Sequence, residues 1–456
     1  MQFHLIRGRL FSVATAVVWT LAASLVAGLG ANPGASLTVT ADHADGVYAP
    51  GQPIHWRVDT SPPGAFSEVR YTLRRGGLTL MRQGKLMFTN ALEEVAASLA
   101  EPGTLLLEIK ATDAQGKTTR GLGGAIMAPG QISVSAPRPA DFDAFWQAKL
   151  EQLAKVPAHP TLVPSESGKE NVDYWQITMD NLRGTHIHGQ LARPKGGDKK
   201  PAMLIVQWAG VYGLPKPWVT DPAAAGWLVL NLNAHDLPID QSAEFYDQQS
   251  KGPLNDYPAI GNDDREQSYF LRMYLSAYRA AQYLAERPDW DGRTLLVTGA
   301  SQGGLQTLML AGLHPKITAA IAGVPAGCDL TGPQVGRSPG WPAWCYKTQG
   351  KDPAKVLEAS RYYDVVNFAR QVKCPVLVGV GLIDETCPAA GVLAAVNQMQ
   401  GPKEVVFLPK GEHQAKNNTH AAFDARARVW KEALLKGEAA PVKRETVEPK
   451  PTRATQ

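Results

Sequence analysis

The sequence predicts an α/β protein in which a doubly wound, mostly parallel sheet is preceded by a small all-β immunoglobulin-like sandwich. Two observations carry this. Between residues 36 and 136 apolar residues alternate: Ile54, Trp56 and Val58, then Val69, Tyr71 and Leu73, then Leu105, Leu107 and Ile109. Period two marks half-buried antiparallel strands, and the Pro/Gly clusters APGQP, SPPG and EPG break them into short lengths. Beyond residue 200 the alternation stops, and continuous apolar runs appear: AMLIVQ, GWLVLNL, RTLLVTG, ITAAIAG, CPVLVGVG and KEVVFLP. Runs of this kind need cover on both faces, which helices on either side of a parallel sheet supply.

Taken in order, the chain of 456 residues is long enough for two to three domains. Residues 1–31 read as a signal peptide, because Arg7 and Arg9 precede an uncharged run from Leu10 to Gly30 that ends in small residues. A retained membrane anchor is the alternative reading of that run. The sandwich is assigned to 36–136 and the second domain to 137–436, with SAPRPADFD as the join and Asp141 or Asp143 as a helix cap. Phe142, Phe145, Trp146, Leu150 and Leu153 then follow helical spacing. DYWQITM and HIHGQLARP read as a hairpin, and Phe270, Met273, Tyr274, Ala277, Tyr278, Ala281 and Leu284 share one face of a long helix. Residues 437–456 mix charge and proline without apolar period and read as a disordered tail.

Composition narrows function by exclusion. A net charge of +4, with no basic stripe interleaved with aromatics, argues against a nucleic-acid partner. No later segment is apolar enough to add a membrane contact to the signal segment. Export permits disulfides among Cys328, Cys345, Cys374 and Cys387. The strand PVLVGVG between Cys374 and Cys387 holds their ends too far apart to bridge, at ~3.3 Å per residue. Cys328 and Cys345 share a Gly/Pro-rich segment and form the favoured pair, without spacing alone fixing it.

The chemistry centres on VTGASQGG. Ser301 lies between a strand and a helix, with Gly299 and Gly303 completing G-x-S-x-G. A turn this sharp strains the serine backbone and exposes Oγ at the carboxyl edge of the sheet. A serine hydroxyl needs a base, and the base a carboxylate to orient it. Asp384, just past VLVGVGLI, and His413, in the loop after KEVVFLP, arrive in the chain order Ser, Asp, His expected on such a sheet. Glu385 is the rival carboxylate, and His420, seven residues on, falls on the next helix. His186, His188 and His55 read as strand or surface positions. None clusters with carboxylates or cysteines at ligand spacing, so neither a metal nor a cofactor is expected. The backbone N–H of Gln302 and one from the loop WAGVYGLP are the candidate oxyanion donors.

These residues resemble the acetyl xylan esterase and cephalosporin C deacetylase family of carbohydrate esterases, a group with the α/β-hydrolase fold. The similarity runs from about Pro137 to Leu435, through RPADFDAFW, VQWAGVYG, GASQGG, YYDVVNFARQVKCPVLVGVGLIDETCP and GEH. It implies a serine esterase using Ser301, Asp384 and His413, with Val211 and Gln302 forming the oxyanion hole, that deacetylates a carbohydrate or another small acetyl ester. It leaves homo-oligomer formation open. Two departures touch the pocket and assembly rather than the triad: AHDLP replaces an Arg-Gly-Gln stretch, bringing His235 and Asp236, and Gln414 follows His413 where the family has Glu. His235 and Asp236 either shape the site or form a hydrogen-bonded turn. Trp341 and Trp344 either stack on sugar rings or pack their loop down. Rival readings are a peptidase or lactone hydrolase of the same fold, and a glycan-binding protein with a vestigial site. The second would be marked by a missing triad member, and all three are present.

Overall fold

A computed structural model describes residues 35–88 and 92–443. The expected signal segment and the end of the tail lie outside the described residues. The N-terminal strands are β1 (Ser36–Ala41), β2 (Val47–Tyr48), β3 (Ile54–Ser61), β4 (Glu68–Arg75), β5 (Thr79–Leu86), β6 (Leu92–Ala97), β7 (Gly103–Thr112) and β8 (Thr118–Met127). They form one sheet ordered β1-β3-β6 and a second ordered β2-β8-β7-β4-β5. The alternation read in the sequence explains the packing. Ile54, Trp56 and Val58 from one sheet, with Val69, Leu73, Leu105, Leu107 and Ile109 from the other, form a single buried core.

The second region opens with helix α1 (Phe142–Ala154) and places strands β9 (Thr161–Ser165), β10 (Val172–Asp180) and β11 (His186–Pro194) as an antiparallel meander. Next come β12 (Lys200–Ile205), α2 (Pro217–Ala224), β13 (Leu228–Leu232), α3 (Ala243–Lys251), α4 (Tyr269–Glu286), β14 (Trp290–Ala300), α5 (Gln302–Leu313) and β15 (Ala319–Gly323). The chain ends through α6 (Pro353–Ser360), α7 (Val365–Ala369), β16 (Val376–Gly381), α8 (Ala389–Val396), β17 (Lys403–Leu408) and α9 (Ala421–Leu435). Nine strands make one sheet ordered β17-β16-β15-β14-β12-β13-β11-β10-β9, and β12 to β17 run parallel. The strand order reverses at β12, flanked by β13 and β14, and crevices for ligands form at the carboxyl ends of strands around such a switch point.

Both faces are covered. Leu204, Leu230, Leu295 and Val297 face α4 and α5, while Met203, Val229, Leu296 and Leu377 face Val219 of α2 and Trp430 of α9. Ser268 caps α4, its hydroxyl accepting from Phe270 N–H at 3.2 Å. Asp141 precedes α1 but caps nothing; its carboxylate instead accepts from Tyr362 Oη and Arg265. The chain past Gly437 departs from the expected tail as far as Lys443. Ala440 and Val442 pack against the second core, and Lys443 N–H donates to Glu404 at 2.8 Å. The buried Glu404 carboxylate supplies the anchor that composition alone did not reveal.

No disulfide forms among the four cysteines, including the favoured pair Cys328 and Cys345. The segment between them does fold back, with Gly327 N–H donating to the Trp341 carbonyl at 2.7 Å, but the two cysteines meet different surroundings. The buried Cys328 thiol faces the carbonyls of Pro325 and Ala326, and Cys345 lies in the turn Trp344–Tyr346. Among the described residues, no helix is long and apolar enough to cross a membrane.

Candidate active site

The carboxyl edge of the parallel sheet gathers the three residues that the sequence singled out. Ser301 follows β14 directly and caps α5 with φ 55° and ψ −120°, a left-handed conformation that costs a non-glycine residue energy. Its neighbours explain why glycine stands on either side. A Cβ at Gly299 would lie 2.6 Å from the Val206 carbonyl oxygen, and one at Gly303 would overlap the same atom. Tight approach of α5 to the end of β12 therefore fixes both glycines and presents Oγ at the edge.

Asp384 arrives from the loop after β16 and His413 from the loop after β17. His413 Nε2 lies 2.9 Å from Ser301 Oγ, and its Nδ1 lies 2.8 Å from Asp384 Oδ2. The other carboxylate oxygen, Oδ1, accepts the backbone N–H groups of Thr386 at 2.8 Å and Cys387 at 2.7 Å. The Asp384 side chain is buried and the His413 ring is only 13 % exposed, so solvent screens this line of contacts weakly.

The rival residues point elsewhere. Glu385 turns away to form a bidentate pair with Arg120 of the sandwich. His420 caps α9, its Nε2 lying 2.7 Å from the Glu412 carbonyl oxygen. His55 pairs with Glu94 at 2.6 Å. His186 and His188, read as having no carboxylate partner, both approach Asp236, at 3.8 Å and 3.0 Å. The sheet brings the start of β11 beside the loop after β13, a pairing invisible in local sequence.

A second departure concerns ligand-type clusters. Asp384, Cys387 and His413 place one donor atom each within 4.8 Å of one another, the arrangement of a metal-binding group. The contacts just described already occupy both oxygens of Asp384 and both nitrogens of His413. Burial pushes the Cys387 thiol well above its ordinary range, which keeps it protonated and a poor metal ligand.

Gln302 N–H opens α5, where a helix leaves its first N–H groups without intrahelical partners. Its side chain is held on two sides: Oε1 accepts from Tyr257 Oη at 2.5 Å, and Nε2 donates to the Gln207 carbonyl at 3.3 Å. Val211 lies on the loop after β12. That loop is pinned by Gln306, which donates to the same Gln207 carbonyl at 3.2 Å, and by His235. His235 is buried, with Nδ1 2.7 Å from Tyr269 Oη and Nε2 2.9 Å from the Gly210 carbonyl oxygen. Burial lowers its pKa to about 4, so the ring is neutral at ordinary pH and joins these two partners as one donor and one acceptor. The turn AHDLP thus fastens the residue next to Val211. Tyr257 carried no motif that would have marked it, and Cys387, within GLIDETCP, reads from sequence only as a disulfide candidate.

The tryptophans divide. Trp344 is buried against Phe270 and Tyr363, and Trp341 is half-buried against Phe270, so both pack their loop. Among the described tryptophans the exposed one is Trp208, 46 % accessible, three residues before Val211 and stacked on Tyr212.

This sheet, with a serine elbow at its carboxyl edge, is that of an α/β-hydrolase with the serine-hydrolase fold, and the enzyme is a carboxylic ester hydrolase. Residues 132–431 match the acetyl xylan esterase (AXE1) family model, and the chain belongs to that family. It is 30 % identical over 390 residues to the acetyl esterase Axe7A of Xylanibacter ruminicola, covering 83 % of this chain and 87 % of that one. Acetyl xylan esterase 1 from Thermoanaerobacterium sp. JW/SL YS485 superposes with a TM-score of 0.57 at 22 % identity, over 67 % of this chain and 97 % of the other. The acetyl xylan esterase from Paenibacillus sp. R4 gives 0.55, also at 22 % identity, over 66 % and 98 %. At that identity the two structures speak for the fold.

Proposed function

We propose that the chain is an exported serine esterase that removes acetyl groups from acetylated sugars or xylo-oligosaccharides through an acyl-enzyme. The observation that carries this reading is the position of His413, whose two nitrogens lie within hydrogen-bond distance of Ser301 Oγ and Asp384 Oδ2. Ser301 Oγ attacks the acetyl carbonyl carbon while His413 Nε2 takes its proton. Asp384 holds the Nδ1–H tautomer and stabilises the imidazolium. The carbonyl oxygen gathers charge and is held by the N–H groups of Gln302 and Val211. Collapse breaks the bond to the sugar oxygen, which leaves as a hydroxyl carrying the proton from His413. Water then repeats the sequence on the acetyl-serine, releasing acetate and restoring the serine.

Family membership and the name of the Xylanibacter ruminicola relative support acetyl as the group transferred. The layout of residues 1–31 supports export. The test is turnover of the purified mature chain on 4-nitrophenyl acetate, 4-nitrophenyl octanoate and acetylated xylan in parallel. Release of acetate from xylan, with kcat/KM falling from acetyl to octanoyl, is the expected result. Equal or rising values along the acyl series, or no acetate from xylan, would sink it.

A further inference from the structure

The sandwich reaches the loop that carries Asp384. Glycines of the sandwich sit directly on that loop: a Cβ at Gly46 would lie 2.5 Å from Leu382 Cδ1, and one at Gly124 would fall on the Leu382 carbonyl oxygen. Only hydrogen side chains allow this approach. Beside them, Arg120 of β8 extends both terminal nitrogens to Glu385, Nη1 at 2.6 Å and Nη2 at 2.8 Å. Its Nε donates at 2.5 Å to Glu108 of β7, a carboxylate only 8 % exposed that also receives Arg74 Nη1 at 3.3 Å. The guanidinium thus directs Nε to the sandwich and both terminal nitrogens to the loop.

We propose that the N-terminal sandwich acts as part of the catalytic apparatus: Arg120, anchored on Glu108, grips Glu385 and thereby positions the adjoining Asp384 against His413. This rests on the reading of Asp384 as the triad carboxylate. The loop is restrained elsewhere through its backbone, on one side by Leu382 N–H to the Leu408 carbonyl at 3.0 Å and Ile383 N–H to the Gly411 carbonyl at 3.3 Å, on the other by Trp341 N–H to the Thr386 carbonyl at 2.7 Å. Between those two points stands Glu385, and Arg120 is what its side chain meets. Asp384 Oδ1 takes its orientation from the N–H groups of Thr386 and Cys387, just beyond Glu385, so rotation of the peptide on either side of Glu385 redirects the carboxylate. Arg120 and Glu385 are positioning residues, since neither touches the reacting atoms.

The pair is half-exposed, with side-chain accessibilities of 42 % and 47 %. Water therefore weakens it, and the effect on turnover is expected to be about 3- to 10-fold rather than the loss of a triad member. A bidentate fork is not replaced by a point charge. Arg120→Lys should accordingly fall between the parent and Arg120→Ala.

The experiment measures kcat, KM and the pH profile on 4-nitrophenyl acetate for full-length Arg120→Ala, Glu385→Ala, the double variant and Arg120→Lys, with rates normalised to serine titrated by a phosphonate. Each single variant should lose kcat about 3- to 10-fold with KM nearly unchanged. The double variant should lose no more than either single one, because both act through one contact. It also removes one charge of each sign, so a simple charge effect on His413 largely cancels. A loosened carboxylate should then move the acidic limb of kcat/KM to lower pH. Arg57→Ala, an exposed pair with Asp59 elsewhere on the sandwich, should change nothing. The proposal is overturned if the variants lose melting temperature while kcat and the acidic limb stay fixed, if the losses multiply in the double variant, or if KM rises alone. If Asp384→Asn itself keeps parental turnover, the triad reading has failed instead.

Discussion

Replacing Asp384 by asparagine isolates what the carboxylate does, because the surrounding donors fix which way the amide must face. Oδ1 accepts two backbone N–H groups, from Thr386 and Cys387, and the amide oxygen must stay there to satisfy both. The amide NH2 then faces His413 Nδ1 across what was a 2.8 Å contact. A donor facing Nδ1 makes that nitrogen an acceptor and moves the ring proton to Nε2. From Nε2, 2.9 Å from Ser301 Oγ, the ring can donate but cannot take the serine proton. The comparable change in the chymotrypsin template costs about 10⁴ in kcat, or ~5 kcal/mol of transition-state stabilisation. We expect a loss of 10³- to 10⁴-fold here. Stability should change by only ~1 to 2 kcal/mol, since the backbone donors keep an acceptor. Asp384→Ala removes that acceptor and should lower the melting temperature further. Steady-state kcat on 4-nitrophenyl acetate and a thermal melt of each variant measure both quantities. Turnover of Asp384→Asn within about tenfold of the parent would refute the tautomer argument. A larger loss in Glu385→Gln than in Asp384→Asn would show that the wrong carboxylate had been chosen.

Ser301→Ala should reduce turnover about 10³-fold or more with an unchanged melt, and a serine-directed phosphonate should no longer label the protein; labelling at another residue would transfer the role. His413→Ala should abolish most turnover, while His420→Ala, whose ring faces the Glu412 carbonyl, should stay within a few-fold of the parent; the reverse outcome would reassign the base. Burial holds His235 and His314 at about 4, below the ordinary histidine value of 6.5. From pH 6.5 down to about 4 the unfolded chain therefore binds protons that the folded chain refuses, and stability should fall steadily through that window. Denaturant melts across it should show a shallower slope in His314→Gln; an unchanged slope would mean that the ring is already protonated in the folded state. Trp208→Ala should raise KM for acetylated xylo-oligosaccharides and leave 4-nitrophenyl acetate untouched, because the exposed ring on the loop of Val211 can stack on a sugar. An equal effect on both substrates would place it in the acyl site.

What could be read from sequence, and what could not, follows the range of the interactions. The six parallel strands were legible because burial on both faces demands uninterrupted apolar runs, as in Val376–Gly381, where every residue is buried. Ser301 was legible because strand, sharp turn and helix are contiguous and the glycines stand within two residues. The positions of Asp384 and His413 followed one step later, since strand ends in a parallel sheet all discharge at one edge. The misread features depend on partners far along the chain. His186 and His188 found Asp236 only once β11 paired with β13, and residues 440–443 were fastened by Glu404, some forty residues earlier. Cys328 and Cys345 did not bridge although their segment folds back, because the Cys328 thiol faces the carbonyls of Pro325 and Ala326 while Cys345 sits in the turn Trp344–Tyr346.

The same distance rule explains why the most consequential contact lay outside any motif. Glu385 sits beside Asp384 in sequence and competes with it on paper, since both are carboxylates just past one strand. Packing separates them by giving each a different partner: His413 for Asp384 and Arg120 for Glu385. Arg120 is 265 residues away in the chain, and nothing in its own strand distinguishes it from Arg70 or Arg74. A rival that looked redundant in sequence is, in the fold, the second handle on the same loop. On the proposed reading the two adjacent carboxylates form one device, with Asp384 acting on the base and Glu385 holding the backbone that aims it.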